Sequence, residues 1–291
     1  VRIDEDPARK IYDVVIIGFG PVGRVLALRL GLRGHSVAVV ERRNELFGLP
    51  RAAHFDDETA RILQSVGASP AALPAAIEPY DDFYEWRAAD WSTLLRLDWR
   101  GLGPSGWNVS NFFIQPDVER FLDEKVRQLD TIDVLLGRTV TEQAESAESV
   151  TISATRDDGG VEQITGRYVV GADGANSIVN EWIAGGHHDL GYFHDWLVVD
   201  LRMKDDSVTF DPPAWQLCDP ARPTTLVPGG PGRRRFEFMR LPGESKADLE
   251  QEEFIWRMLK PWSVGPHNAE IVRKAVYTFQ ARWANVWRRG R

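Results

Sequence analysis

The 291-residue chain has a single cysteine, Cys218. That excludes an internal disulfide framework and any thiolate metal cluster, and makes a reducing compartment, the cytoplasm by default, the expectation. No apolar run approaches the roughly 20 residues that span a bilayer. The first residues, Val1-Arg2-Ile3-Asp4-Glu5-Asp6, carry too much charge for a signal peptide, so no membrane partner is expected. Sustained basic runs are missing as well: the formal charge is -8, and the short Arg233-Arg234-Arg235 cluster reads as a solvated strand end. Nucleic acid is therefore excluded as a partner, because binding its backbone needs clustered Lys and Arg. Neither a Gly-x-Ser-x-Gly elbow nor a P-loop occurs. His187, His188 and His194 have no neighbouring cysteine and fit no common zinc spacing, so they read as loop residues and no metal is expected.

What the chain does contain is a glycine cluster in a telling context. Gly18-Phe19-Gly20-Pro21-Val22-Gly23 follows the apolar run Val14-Val15-Ile16-Ile17, opens a helical stretch, and is answered by Glu41 at the end of the next apolar run. Strand, glycine turn, helix and acidic residue in that order make a dinucleotide-binding unit. Gly18 permits the tight turn, Gly20 lets the backbone approach a pyrophosphate, and Gly23 lets the helix pack on the strand. The helix N-terminus faces the phosphates, with Pro21 suited to its first turn, and Glu41 accepts hydrogen bonds from ribose hydroxyls. A ligand carrying an ADP group is expected. The chain supplies its own control: Gly101-Leu102-Gly103-Pro104-Ser105-Gly106 has the same spacing but neither a clean strand before it nor a helix after it, and reads as a loop.

The length suits two intimately joined domains. A strand over 12–17, a helix over 21–32 with Val22, Val25, Leu26 and Leu30 on its apolar face, and a strand over 36–40 form a βαβ unit. Asp56-Asp57-Glu58 reads as a helix cap with an acidic first turn, the helix running to about 66; His54, Asp56 and Asp57 are also placed to approach a substrate. An aromatic strand-like stretch covers 81–97, a helix runs from Gln115 to about 128, and antiparallel strands are expected over 132–136, 139–144, 150–156 and 161–164. A separate buried strand over 168–172 delivers Gly171-Ala172-Asp173-Gly174, and the rest is strand-rich apart from one helix over 246–259. The expected fold class is α/β: a discontinuous Rossmann-like domain made of 1–78, 114–186 and the start of a return at 281–291. A β-rich domain of 79–113 and 187–280 is inserted into it. The 11 tryptophans and 13 phenylalanines suit cores and a flat apolar pocket, with the strands near 215–218 and 224–239 as its candidate wall.

Gly18 to Gly23, Glu41-Arg42, Pro50-Arg51-Ala52, Gln115-Pro116-Asp117-Val118-Glu119 and Gly171 to Ser177 resemble the ordered motifs of the class A flavoprotein monooxygenases, the p-hydroxybenzoate hydroxylase-like aromatic hydroxylases. The resemblance runs from about residue 11 to the last residue. Asp56-Asp57-Glu58, the stretch from Asp219 to Thr225 and Phe236-Glu237-Phe238-Met239 are most similar to 3-(3-hydroxyphenyl)propionate hydroxylase and its relatives. The resemblance implies FAD in the first site, held by Gly18, Gly20, Pro21 and Gly23. It also implies Glu41 on the ribose, Arg42 and Arg51 on the adenosine and diphosphate side, Gln115 on the flavin side, Val140 on adenine through its backbone, and Asp173 in the second fingerprint. NADH or NADPH as electron donor, O2 and a phenolic substrate follow, with hydroxylation through a flavin hydroperoxide and no protein nucleophile. Two departures stand out. Asn180 occupies a place where the family usually has arginine, and the family's Gly-Asp fingerprint for the ribityl side of the flavin is expected after Arg291. Read from the first motif alone, an NAD-dependent dehydrogenase stays open; read from the missing fingerprint, so does a truncated, non-catalytic flavoprotein fragment.

Overall fold

The computed structural model describes residues 10–291, and the charged residues 1–9 lie outside them. Two compact units emerge: residues 1–47, 119–188 and 283–291 in the first, and 48–118 and 189–282 in the second. Residues 48–78, expected with the nucleotide-binding part, thus lie in the second unit.

Along the chain, β1 (Ile11–Ile17), α1 (Pro21–Gly31) and β2 (Val37–Glu41) form the opening βαβ unit. Next come β3 (His54–Asp56), α2 (Asp57–Gln64), β4 (Ile77–Tyr80), β5 (Phe83–Arg87), β6 (Thr93–Asp98) and β7 (Ser110–Phe113). Asp56 caps α2, its side chain accepting from Thr59 N at 2.8 Å. After α3 (Gln115–Val126) come β8 (Ile132–Leu136), β9 (Arg138–Glu145), β10 (Val150–Arg156), β11 (Val161–Gly171) and α4 (Ile178–Ile183). The remainder is β12 (His187–Met203), β13 (Ala214–Leu217), β14 (Thr224–Pro228), β15 (Arg233–Met239), α5 (Lys246–Leu249), α6 (Glu252–Leu259) and β16 (Ala269–Ala284).

The first unit is built on a six-stranded sheet in the order β8-β2-β1-β11-β10-β9. Its β8, β2, β1 and β11 are parallel and its β10 and β9 antiparallel. Val15, Ile17, Ala38, Val40, Ile152 and Ile164 share one core, and Ile16, Val37 and Val39 between and beside them are buried too, as expected of strands covered on both faces. Two expectations change here. The stretches 161–164 and 168–172 are one strand, β11, which pairs antiparallel with β10 and parallel with β1. Nor does α1 bury Val22, which is 69% exposed; it buries Gly23, Arg24, Ala27, Leu28 and Gly31. Small residues win because the helix lies close to its neighbours: a Cβ at Gly31 would overlap the Ile132 side chain.

In the second unit a seven-stranded sheet runs β16-β12-β15-β14-β13-β5-β6, beside a three-stranded sheet β3-β7-β4. Strict alternation sorts the larger sheet. Leu197, Val199 and Leu201 of β12, Trp215 and Leu217 of β13, Leu226 of β14 and Phe236 and Phe238 of β15 form one buried face, covered by Leu249, Ile255 and Leu259. The helix expected over 246–259 is two, α5 and α6, because Gln251 is extended and caps the second. The three histidines expected in a loop lie on the long strand β12. The 101–106 glycine stretch forms no helix and carries only an isolated bridge between Leu102 and Asn108.

Candidate functional site

In the first unit the β1–α1 turn is built by steric necessity. Gly18 has φ of +103°, a region L side chains avoid, and a Cβ there would overlap the Ala172 carbonyl. A Cβ at Gly23 would overlap the Gly18 carbonyl oxygen, whereas one at Gly20 would meet nothing within 4 Å. Gly20 is the N-cap of α1, with no side-chain cap, Pro21 behind it and no acid in the first turn. The helix therefore presents main-chain N–H groups and its positive end to open space, which suits an anion.

Glu41 accepts from Phe19 N at 2.8 Å through Oε2 and from Arg43 N at 2.9 Å through Oε1. A carboxylate has about four lone-pair sites, so each oxygen retains capacity for a ribose hydroxyl. Asp173 stands against Gly18 although 155 positions separate them in sequence: its Cα lies within 3 Å of where a Gly18 Cβ would be. Its Oδ2 accepts from Ile178 N at 2.8 Å, while its buried Oδ1 has no partner among the described residues. An open glycine, free helix amides and an orphaned carboxylate oxygen together fit the ADP half of a dinucleotide. Val140 is buried in β9 opposite Ala154, leaving only its main chain for a ligand, and Arg42 is exposed.

Arg24 went unforeseen. It is buried on α1, donates to Glu119 Oε2 at 2.9 Å and lies 4.1 Å from the Phe19 ring centre; burial lowers its guanidinium from the usual range. Helical spacing places Arg24 one turn after Gly20, but nothing in the sequence pairs it with a residue 95 positions away. Of the histidines, His187 sits 3.0 Å from the Asn180 amide and His188 stacks on Trp283. Among the described residues no group of three or more His, Cys, Asp or Glu could hold a metal ion.

In the second unit Gln115 is buried and its Oε1 accepts from both Arg51 N (3.0 Å) and Ala52 N (2.7 Å). Arg235 donates to Arg51 O at 2.8 Å and Arg273 to Pro50 O at 2.6 Å. The segment 50–52 is thus held at four backbone atoms, with the Arg51 side chain exposed. Arg235 is no solvated strand end: it is buried, with two bonds to Asp200 at 2.7 and 3.1 Å. Alternation explains this, since Arg235 belongs to the face of β15 opposite Phe236 and Phe238.

That opposite face carries a polar row. Strand register aligns Trp86, Gln216, Thr225, Glu237 and Val198 across β5, β13, β14, β15 and β12. Thr225 donates to Gln216 Oε1 at 2.6 Å. Tyr84 packs edge-on against Trp86 at 4.7 Å and lies tilted against Trp99 at 4.9 Å, and Trp99 stacks on His54 at 5.3 Å. Burial raises the Glu237 carboxyl and the Tyr84 phenol and lowers the His54 imidazole from their ordinary values. Asp56 and Asp57, proposed for substrate or cap, serve local structure: Asp56 caps α2 and Asp57 accepts from Ser105 N at 2.9 Å.

A family described as "FAD binding domain" matches residues 11–291. The chain belongs to the FAD-binding domain family. Relatives of this FAD-binding domain carry hydroxylase names, as the resemblance read from its motifs implied. It is 36% identical, over 97% of its length and 53% of the other chain, to the protein named "Probable NADH-specific resorcinol 4-hydroxylase" of Rhodococcus jostii (strain RHA1). It is 35% identical, over 95% of its length and 43% of the other, to a 3-(3-hydroxy-phenyl)propionate/3-hydroxycinnamic acid hydroxylase of Paraburkholderia xenovorans (strain LB400). It shares the fold of p-nitrophenol 4-monooxygenase from Pseudomonas putida DLL-E4, with a TM-score of 0.83 at 22% identity, covering 97% of this chain and 71% of that one. The chain spans about half the length of the curated relatives it matches.

Proposed function

We propose that this FAD-binding domain belongs to a monooxygenase that hydroxylates a phenolic ring using FAD, O2 and NADH or NADPH. The observation that carries the reading is the first unit's cradle: open Gly20 at a bare helix N-terminus, Glu41 with spare acceptor capacity, and Asp173 with an orphaned oxygen, brought to one turn. In this reading Gly18, Gly20, Pro21 and Gly23 shape the pyrophosphate site and the α1 amides neutralise its charge. Glu41 orients the ribose, Arg42 and Arg51 flank the adenosine and diphosphate, and the Val140 main chain meets adenine. Gln115 acts by fixing the 50–52 backbone, so its effect on the flavin is one of positioning.

Bound FAD would supply the transfer of electrons from nicotinamide to O2 and of oxygen to the ring. The protein's own part is to bind, orient and exclude water. The aromatic and polar face of the seven-stranded sheet, from Tyr84 and Trp86 to Glu237, has the chemistry for a hydroxylated ring: flat apolar walls with a few fixed hydrogen-bonding groups. The names of two relatives, a resorcinol hydroxylase and a hydroxyphenylpropionate hydroxylase, support that substrate class.

The test is purification with flavin detection, followed by NAD(P)H oxidation and O2 uptake in the presence and absence of resorcinol and 3-(3-hydroxyphenyl)propionate. Bound flavin with phenol-dependent oxidation and a hydroxylated product is expected. Tight NAD binding without flavin affinity would overturn the reading.

A further inference from the structure

We infer that Glu237 is the group that receives the hydrogen of the substrate's phenolic hydroxyl, as a proton acceptor on the polar face of the seven-stranded sheet. The inference rests on the proposed phenol-hydroxylating function and adds a named catalytic residue to it.

Three observations carry it. Register places Glu237 between Thr225 and Val198 in the row Trp86, Gln216, Thr225, Glu237, Val198, on the face opposite the Phe236 and Phe238 core. Its polar neighbour in that row is already engaged elsewhere, Thr225 donating to Gln216 at 2.6 Å. Among the described residues, the Glu237 carboxyl itself has no hydrogen-bond partner, an uncommon state for a group so enclosed by protein. It keeps part of its surface open, yet burial is the main cause raising its carboxyl from the ordinary glutamate value. Glu237 is thus both reachable and desolvated.

Of the charged groups around it, Arg235, two residues along β15, lowers the Glu237 carboxyl by less than burial raises it, and its own hydrogen bonds go to Asp200 and to the Arg51 carbonyl. Asp200, from β12, raises the Glu237 carboxyl further, as a like charge must. Tyr84, from β5, lies within electrostatic reach of Glu237 and Cys218 and is itself held in the neutral phenol form by burial. The partner that Glu237 lacks therefore comes from the ligand, with Tyr84 as the aromatic side chain within its electrostatic reach. The step balances without any other reactant. The phenol O–H bond breaks, its electron pair stays on the ring oxygen, and the proton forms a new O–H bond on Glu237. One negative charge passes from carboxylate to an electron-rich phenolate.

The test combines turnover and binding for wild type, Glu237→Gln and Glu237→Asp. For a phenol ionising near pH 10, Glu237→Gln should lose about 100-fold in kcat at pH 7, the low end of general-base effects. It should recover as pH rises towards the substrate's own ionisation, and Glu237→Asp should retain part of the activity. Equal loss at every pH, or an unchanged pH profile, overturns the inference. Binding of 4-nitrophenol, read from its phenolate absorbance, gives an arm that needs no flavin. Wild type should bind it ever more weakly as pH rises, because two anions then oppose each other, and Glu237→Gln should bind the phenolate without that penalty. Identical pH dependence in both overturns the inference. Flavin binding by wild type is scored separately: its failure sinks the proposed function, while flavin binding with an unaltered Glu237→Gln sinks only the role of Glu237.

Discussion

Gly20 and Gly23 lie three residues apart in one turn and answer substitution in opposite ways. Gly23→Ala forces a Cβ onto the Gly18 carbonyl and should cost about 1–3 kcal/mol in urea unfolding. Gly20→Ala has open space and an ordinary φ of -75°, so stability should stay within about 0.5 kcal/mol of wild type. Its FAD affinity should nonetheless fall, because the new methyl group fills the space assigned to the pyrophosphate; wild-type affinity would remove that assignment. Asp200 makes the sharper stability case. It is the buried counter-charge of Arg235, and Arg273 lies 3.8 Å from it. Asp200→Ala leaves buried cations uncompensated and should lower stability by about 3–5 kcal/mol. Glu78 carries a pH signature instead. Burial raises its carboxyl from the ordinary value and its Oε2 has no hydrogen-bond partner among the described residues. A raised folded-state pKa means the group's contribution to stability is fully present below the ordinary glutamate range and is lost as pH rises through the folded value. Urea midpoints for Glu78→Gln should therefore pull ahead of wild type as pH increases from 4 to 7; parallel curves would contradict this.

At the level of elements, α1 shows where sequence periodicity misleads. Val22, Val25, Leu26 and Leu30 form the apolar stripe a hydrophobicity count selects, yet Gly23, Ala27 and Gly31 are among the residues the helix buries. Hydrophobicity says which residues favour burial, but the interaxial distance decides which ones fit, and that distance is not written in one helix. Ala27→Leu should therefore cost about 1–3 kcal/mol by overpacking, whereas Val22→Ala should be near neutral, both read by thermal or urea unfolding. Strand β15 shows the opposite. Its Arg-Phe-Glu-Phe alternation does specify two faces, and a period of two would have placed Arg235 and Glu237 opposite the phenylalanines. What alternation could not reveal was Asp200 on the neighbouring strand, which turned an expected solvated arginine into a buried one. The strand β11 was expected as two, 161–164 and 168–172, with Gly166 between them. In the structure Gly166 is needed where the backbone runs tight against Val15.

For the whole molecule, the two compact units imply separable ligand responses. ADP should slow amide exchange at the β1–α1 turn, Glu41 and the 172–178 segment and leave the polar face of the seven-stranded sheet unprotected; a phenol should do the reverse. Equal protection of both regions by ADP would contradict the assignment. FAD at a hundred times its Kd should add about 2.7 kcal/mol to stability by mass action. Much of the first unit was legible beforehand because its chemistry is local: strand, glycine turn, helix and Glu41 fall within one βαβ stretch, where each residue type is demanded by backbone sterics or phosphate charge. Gln115 and Asp173 were legible only through their resemblance to family motifs, and their contacts with residues 51–52 and Gly18 were not. The sequence by itself determined the dinucleotide turn, the α/β class and the alternation that gives each strand its faces. Tertiary structure alone decided that Gln115 grips a backbone strap, that Arg235 is buried against Asp200, and that Glu237 is left without a hydrogen-bond partner among the described residues. Those outcomes depend on which distant strands become neighbours, a choice made by the summed packing of the sheet and absent from any short stretch of chain.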